Sequence, residues 1–133
     1  MAPDDKRVVV LVVEDDPDLR QLYRDALSHI AGYAVVAVED GIDALRYLDV
    51  ASMPAAVLLD LELPRLSGRD LRMELAAHEA TRNIPIVVVT GNPGEIDPSD
   101  VACVLTKPVD AESLVKSVQT CVRRAELRRQ SAE

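Results

Sequence analysis

Polar side chains of complementary chemistry recur at one kind of place in this sequence: the point where an aliphatic run stops. "VVVLVV", residues 8 to 13, stops at Glu14, Asp15 and Asp16. "AAVLLD", residues 55 to 60, ends on Asp60; "IPIVVVT", residues 84 to 90, ends on Thr90; "ACVLT", residues 102 to 106, ends on Thr106 and is followed by Lys107. One acid at the end of such a run is ordinary loop polarity. Four ends carrying carboxylates, a hydroxyl and an ammonium imply chemistry once they are gathered together. Clustered carboxylates repel one another and raise each other's pKa, and a cation relieves this. Hard oxygen ligands with room for water suit Mg²⁺, which takes one or two protein carboxylates and phosphate oxygens. A lysine and a hydroxyl beside that cation would complete a cage for a phosphoryl group. Asp60 can then be the nucleophile, because carboxylates form acyl phosphates.

These residues lie up to 93 positions apart, from Glu14 to Lys107, so the fold must bring them together. Continuous β-branched runs read as strands buried on both faces, the pattern of a parallel sheet. Strands are expected at 8–13, 33–39, 55–60, 84–90 and 102–106. Between them lie amphipathic segments. Asp16 and Pro17 cap and open the first helix, whose apolar positions are Leu19, Leu22, Tyr23, Ala26, Leu27 and Ile30, with Gly32 at its end. "DGIDALRYLDV" carries Ile42, Leu45 and Leu48 on one stripe, and "LSGRDLRMELAAH" turns Leu71 and Leu75 inward. Asp110 caps a long last helix with the stripe Leu114, Val115, Val118, Cys121, Val122 and Ala125. Strand and helix in alternation give an α/β fold: three layers around a doubly wound, five-stranded parallel sheet of the flavodoxin-like kind. Ligands of such sheets bind outside the carboxyl ends of the strands. Residues 1–133 form a single domain with its core at about 7–125, and residues 1–6 and 130–133 are expected to be loose.

Composition narrows the function. The 133 residues carry a formal charge of −8, which repels phosphate backbones and argues against a nucleic-acid surface within this domain. Three Tyr and no Phe or Trp leave little with which to stack bases or flavin rings. The basic run Arg123, Arg124, Arg128 and Arg129 reads as a solvated helix end that complements the negative end of the dipole. Cys103 and Cys121 lack metal-type spacing and read as buried free thiols. No run reaches the ~18 apolar residues of a membrane helix, and no secretion signal is visible, so a cytoplasmic protein is expected. His29 and His78 are expected at the surface, and Ser67 and Thr106 as structural hydroxyls.

Taken in order, these segments resemble a response-regulator receiver domain of two-component signalling. The resemblance rests on "VLVVEDDPDLR", "AVEDGIDAL", "VLLDLELPRLSG", "VVVT" and "TKPVD", and covers roughly residues 7 to 125. In the third segment Asp60 is followed by Pro64 and Gly68, the family's spacing around its phosphoacceptor. The resemblance implies that Asp60 is phosphorylated by a partner sensor histidine kinase or histidine phosphotransfer protein. It implies that Asp15, Asp60 and the backbone carbonyl of Glu62 ligate Mg²⁺, with Glu14 assisting through water. Lys107 would pair with the phosphoryl oxygens or with Asp60, Pro108 would follow a cis bond, and Thr90 would report the phosphoryl group to the surface. A downstream protein partner would read the change in the monomer or a weak dimer. Such a domain takes part in its own phosphorylation without being a conventional enzyme. With only a short tail after the last helix, a single-domain regulator, a phosphorelay shuttle and a fragment of a larger chain all remain open.

Departures from the family pattern are equally specific. Glu14 stands where aspartate is commoner, and Gly91 where a small residue such as alanine is usual. Val104 occupies the position of an aromatic whose rotamer often reports activation. Only 11 residues separate Thr90 from Ala102, and Gly91, Pro93, Gly94 and Pro98 fall among them. Pro and Gly oppose a helix there, so the helix between the fourth and fifth strands should be short or irregular: one turn capped by Asp97 at most, in a mobile loop. Glu62 and Asn92 occupy positions that would modulate phosphoryl lifetime. The alternative reading is a receiver-like scaffold that binds partners without phosphorylation; an aspartate-nucleophile phosphatase or a flavodoxin-like carrier would need a cap domain or stacking aromatics that are missing.

Overall fold

A computed structural model describes residues 7–50 and 52–131. Five strands and four helices alternate except between the last two strands: β1 (Val9–Val13), α1 (Pro17–His29), β2 (Ala34–Val38), α2 (Gly41–Val50), β3 (Ala56–Asp60), α3 (Gly68–Ala77), β4 (Ile86–Thr90), β5 (Cys103–Thr106) and α4 (Ala111–Ser131). Every strand pair is parallel, and the spatial order is β2-β1-β3-β4-β5. The expected fold is the observed one. Residues 130 and 131 continue α4, while the other terminal residues read as loose, 1–6, 132 and 133, lie outside the described residues.

The unbroken apolar runs are explained by burial on both faces. Along β1, Val10 and Val12 enter one core while Leu11 and Val13 enter the other. The same alternation sends Leu58 one way and Val57 and Leu59 the other in β3. With period two, a strand can be apolar throughout only if helices cover both sides. α1 and α4 cover one face through Tyr23, Ala26, Leu27, Leu114, Val115, Val118 and Val122. α2 and α3 cover the other through Ala44, Leu48, Leu71 and Leu75.

Three side-chain readings need correction. Leu22 and Ile30 are 43% and 56% exposed. Leu22 lies to one side of the Tyr23–Ala26–Leu27 stripe, and Ile30 is the C-cap beyond the last turn of α1. Cys103 is only half-buried because β5 is an edge strand, whereas Cys121 is buried as expected. Between β4 and β5 the chain is irregular, as expected, but it makes two 3-10 turns rather than one, Pro93–Glu95 and Pro98–Asp100. Each opens on proline, which has no N–H to lose at that position. Between the turns Ile96 is 8% exposed and joins the core that α2 and α3 cover.

Candidate functional site

The strand order determines which side chains meet. β3 lies at the centre of the sheet, so its last residue, Asp60, is flanked by the end of β1 on one side and of β4 on the other. The order reverses between β1 and β3, which is where an open parallel sheet leaves a crevice. Glu14 and Asp15 follow β1 directly, and one oxygen from each, with one from Asp60, falls within a 4.8 Å cluster. Asp16 is not in that cluster: its carboxylate accepts from the N–H groups of Asp18 (2.8 Å) and Leu19 (3.2 Å) and caps α1.

Lys107 enters from beyond β5. Its Nζ donates to Glu14 Oε1 at 3.1 Å and to Asp60 Oδ2 at 3.2 Å, so one ammonium bridges two acids. Burial alone would lower the lysine pKa, but Glu14 and Asp60 outweigh it and hold the pKa above its ordinary value, keeping the ammonium charged. Glu14 is 1% exposed. Burial, reinforced by repulsion from Asp60 and opposed by the Asp16 N–H and by Lys107, leaves its carboxyl raised to about 7. Asp60 is 6% exposed, with Oδ1 accepting from the Glu62 N–H at 3.0 Å; Asp15 stands exposed at the mouth. The donor set is thus all hard carboxylate oxygen with a single lysine against three acids, which fits a divalent, oxygen-preferring cation.

Close backbone packing holds this geometry. A Cβ on Gly68, the first residue of α3, would fall 2.2 Å from the carbonyl oxygen of Asp60 and 2.5 Å from Leu61 Cα. α3 therefore begins against the backbone of the very residue it supports, and Ser67 caps it by accepting from the Asp70 N–H. Gly41 plays the same part for α2, where a Cβ would meet the Leu66 carbonyl at 2.7 Å. In the intervening loop Arg65 sits at φ 63°, a left-handed conformation that L residues rarely adopt. Its guanidinium is held by Asp40 and Asp43 at the start of α2, with Nε donating to Asp40 Oδ2 at 2.7 Å. On the other side Arg20 of α1 donates to the carbonyl oxygens of Glu14 (3.0 Å) and Asp15 (3.3 Å), fixing the turn that carries both acids. The Lys107–Pro108 bond is cis, as the resemblance implied.

Thr90 is 1% exposed at the end of β4, and its carbonyl accepts from the Lys107 N–H at 2.8 Å. Its hydroxyl oxygen accepts from the Asn92 N–H at 3.1 Å. The Asn92 side chain donates to Glu95 at 2.8 Å, and Glu95 pairs with Arg69 in the first turn of α3. Asp97 caps the second 3-10 turn. Val104 is half-buried against the α2–α3 core, so a small aliphatic side chain fills the aromatic position from inside. Glu62 and Asn92 are both exposed beside the acids. His29 and His78 are exposed and distant in the fold, at the far end of α1 and past α3.

The structure brings Glu14, Asp15, Asp60 and Lys107 together, leaves Thr90 at the end of the neighbouring β4, and adds residues that the strand-end pattern does not reveal. Arg20, Arg65 and Arg69 each hold a site loop through a partner on another element. For Arg20 the helical spacing from Asp16 placed it on the first turns of α1, above the acids; for Arg65 and Arg69 no local signal exists. Among the described residues no helix is long and apolar enough to cross a membrane.

Comparison with known proteins agrees with this geometry. The family model of the response regulator receiver domain matches residues 10–119. The chain is 33% identical over 138 aligned positions to the C4-dicarboxylate transport transcriptional regulatory protein DctD of Pseudomonas aeruginosa, covering 96% of this chain but only 27% of that protein. It is 30% identical to the response regulator Rcp1 of Synechocystis, covering 84% of each. Among solved structures, the receiver domain of the sensor histidine kinase PA1611 from Pseudomonas aeruginosa is 30% identical, with a TM-score of 0.74 and coverage of 87% of this chain and 98% of that one. That structure has a magnesium ion coordinated in its active-site cleft.

Proposed function

The chain belongs to the response regulator receiver domain family, and from that membership we propose that Asp60 accepts a phosphoryl group from phosphohistidine on a partner kinase or phosphotransfer protein. Receiver domains are signalling modules rather than conventional enzymes, and the proposed consequence is a change in protein contacts. The observation that carries the reading is the Lys107 ammonium bridging Glu14 and Asp60, with Asp15 completing the acid cluster. Of the three acids only Asp60 combines a central position with an oxygen fixed by a backbone N–H. Glu14 is buried against Lys107 and the Asp16 N–H, and Asp15 is open to solvent.

In the proposed step an Asp60 carboxylate oxygen forms a bond to phosphorus as the bond from phosphorus to the donor imidazole nitrogen breaks. The nitrogen keeps the electron pair; with its other nitrogen already protonated, the imidazole leaves as the neutral ring, and an acyl phosphate remains on Asp60. Asp15, Asp60 and the carbonyl of Glu62 would hold Mg²⁺, with Glu14 assisting through water. The cation would supply charge neutralisation for the incoming phosphoryl oxygens. Lys107 would pass from Asp60 to a phosphoryl oxygen, and the Thr90 hydroxyl would exchange the Asn92 N–H for a phosphoryl contact. Such an exchange would loosen Asn92, then Glu95 and Arg69, a route along the irregular segment that does not need an aromatic at position 104.

The test is intact mass after incubation with Mg²⁺ and acetyl phosphate, for the wild type and Asp60→Asn. The expected result is an added phosphoryl mass in the wild type only. Absence of an Asp60-dependent adduct, with beryllofluoride also leaving the amide spectrum unchanged, would favour the scaffold reading over phosphorylation.

A further inference from the structure

At the opposite end of the sheet lies a cavity of ≈530 Å³, under the amino ends of β4 and β5. Its floor includes Leu75, Cys121 and Ala125, all buried. Around it stand five arginines from three parts of the chain: Arg72 on α3, Arg82 in the loop before β4, and Arg124, Arg128 and Arg129 on α4. Asp100 is the only acid in the lining. Arg20, Arg46, Arg65 and Arg69 elsewhere each pair with an aspartate or glutamate. No side chain of the five cavity arginines forms an ion pair or hydrogen bond among the described residues, as is also true of Arg24 and Arg123 outside the cavity. Burial and the neighbouring Cys103 push the Cys121 thiol up, while Arg124 and Arg128 pull it the other way.

A helix dipole accounts for Arg128 and Arg129 in the last turn of α4, but not for Arg72 in mid-helix or Arg82 in a loop. Five like charges around one cavity repel one another, in a chain with 23 acids available to pair them. We propose that this cavity is a binding site for a small oligophosphate. All five cations are arginine and none is lysine, which favours planar forks that grip phosphate oxygens in pairs. The volume lies in the small-molecule range of about 300–1,000 Å³. No aromatic side chain lines it, so no ring of a base is stacked and the recognised part is the phosphate chain. The −8 charge of the whole chain repels an extended polyanion such as RNA, leaving a compact ligand that fits inside the local positive field.

The experiment is calorimetric titration of the full chain with inorganic tripolyphosphate, in Mg²⁺-free buffer containing EDTA so that the acid cluster has no cation through which to attract phosphate. One saturable site is expected, and Arg124→Gln and Arg72→Gln should each weaken it about tenfold, the low end for a charge-assisted hydrogen bond. Asp60→Asn should bind like the wild type, and both arginine variants should still be phosphorylated at Asp60, so this site and the phosphoacceptor fail independently. Far-UV circular dichroism and thermal unfolding verify that the variants fold; if either does not, Arg128→Gln on the exposed last turn takes its place. Non-saturable binding, binding that survives the arginine substitutions, or citrate binding as tightly as tripolyphosphate would each overturn the proposal.

Discussion

Replacing Gly68 with alanine tests whether α3 holds Asp60 through direct backbone contact. The new methyl would meet Asp60 O at 2.2 Å, Leu61 Cα at 2.5 Å and Asp60 C at 3.0 Å. All three are backbone atoms, so no side chain can swing aside. Ordinary carbon contacts lie at about 3.5–4.0 Å, so α3 must retreat by about 1 Å or more from the end of β3. Overpacking of this kind costs about 1–3 kcal/mol. Alanine recovers at most ~1 kcal/mol of helix propensity, less in a first turn, so a net loss of about 1–2 kcal/mol is expected. That is a sizeable part of a domain stability of about 5–15 kcal/mol. The retreat also moves Asp60, the proposed nucleophile, and a misplacement of about 1 Å costs on the order of 100-fold in rate. Urea unfolding gives the first quantity and the rate of Mg²⁺-dependent phosphorylation by acetyl phosphate gives the second. Gly91→Ala is the control, since a Cβ there meets nothing within 4 Å. It should fall within about 0.5 kcal/mol of the wild type. If Gly68→Ala unfolds at the same urea concentration as Gly91→Ala and phosphorylates as fast, the contact does not hold the site.

The remaining predictions address the loops. Burial pushes the Asp40 carboxyl up, but the Asp43 N–H and Arg65 pull harder and leave it below its ordinary 3.8, so its ionised form stabilises the fold above that pH and the gain is lost as pH falls through the lower folded value. The stability gap between the wild type and Arg65→Gln should therefore hold near neutrality and close in acid below 3.8; a gap that persists there assigns the effect to something other than this pair. Both Arg65→Gly and Arg65→Ala remove the ion pairs, but only alanine retains the cost of φ 63°, so the glycine variant should be the more stable, and equal unfolding midpoints would remove backbone strain from the account. Amide exchange should be faster at residues 92–101 than in β4, because the N–H groups of Ile96 and Val101 reach their acceptors only at 3.5 Å; core-like protection there would contradict a mobile segment. Glu62→Ala should change the rate at which phosphoryl is lost from Asp60, followed by mass over time, and an unchanged rate would remove that exposed side chain from the chemistry.

What could be read in the sequence divides along a physical line. Burial on two faces writes itself into every residue of β1, β3 and β4, so the strands and their acidic or hydroxyl ends were legible within a residue or two. The α4 stripe was legible in full, because all six of its apolar positions are buried on one side. Reading failed where apolar residues exceed the contact available, as at Leu22 and Ile30, and where a strand lies at the edge, as at Cys103. It failed differently for Arg65, Arg69 and the cavity arginines. A guanidinium on a long flexible stem leaves no periodic trace, and its meaning depends on what a distant segment brings near it. Read along the chain, Arg123, Arg124, Arg128 and Arg129 form a solvated helix end. In space three of them face Arg72 and Arg82 across a cavity, and the same residues become a charge problem that the fold leaves unsolved. The acid cluster at the other end of the sheet is the mirror of this case. There too like charges converge, but Lys107 joins two of them and strand order explains why they meet. Charge convergence that the chain itself neutralises, as at Arg65 with Asp40 and Asp43, holds the fold; convergence left uncompensated, at either end of this sheet, is where a ligand of opposite charge belongs.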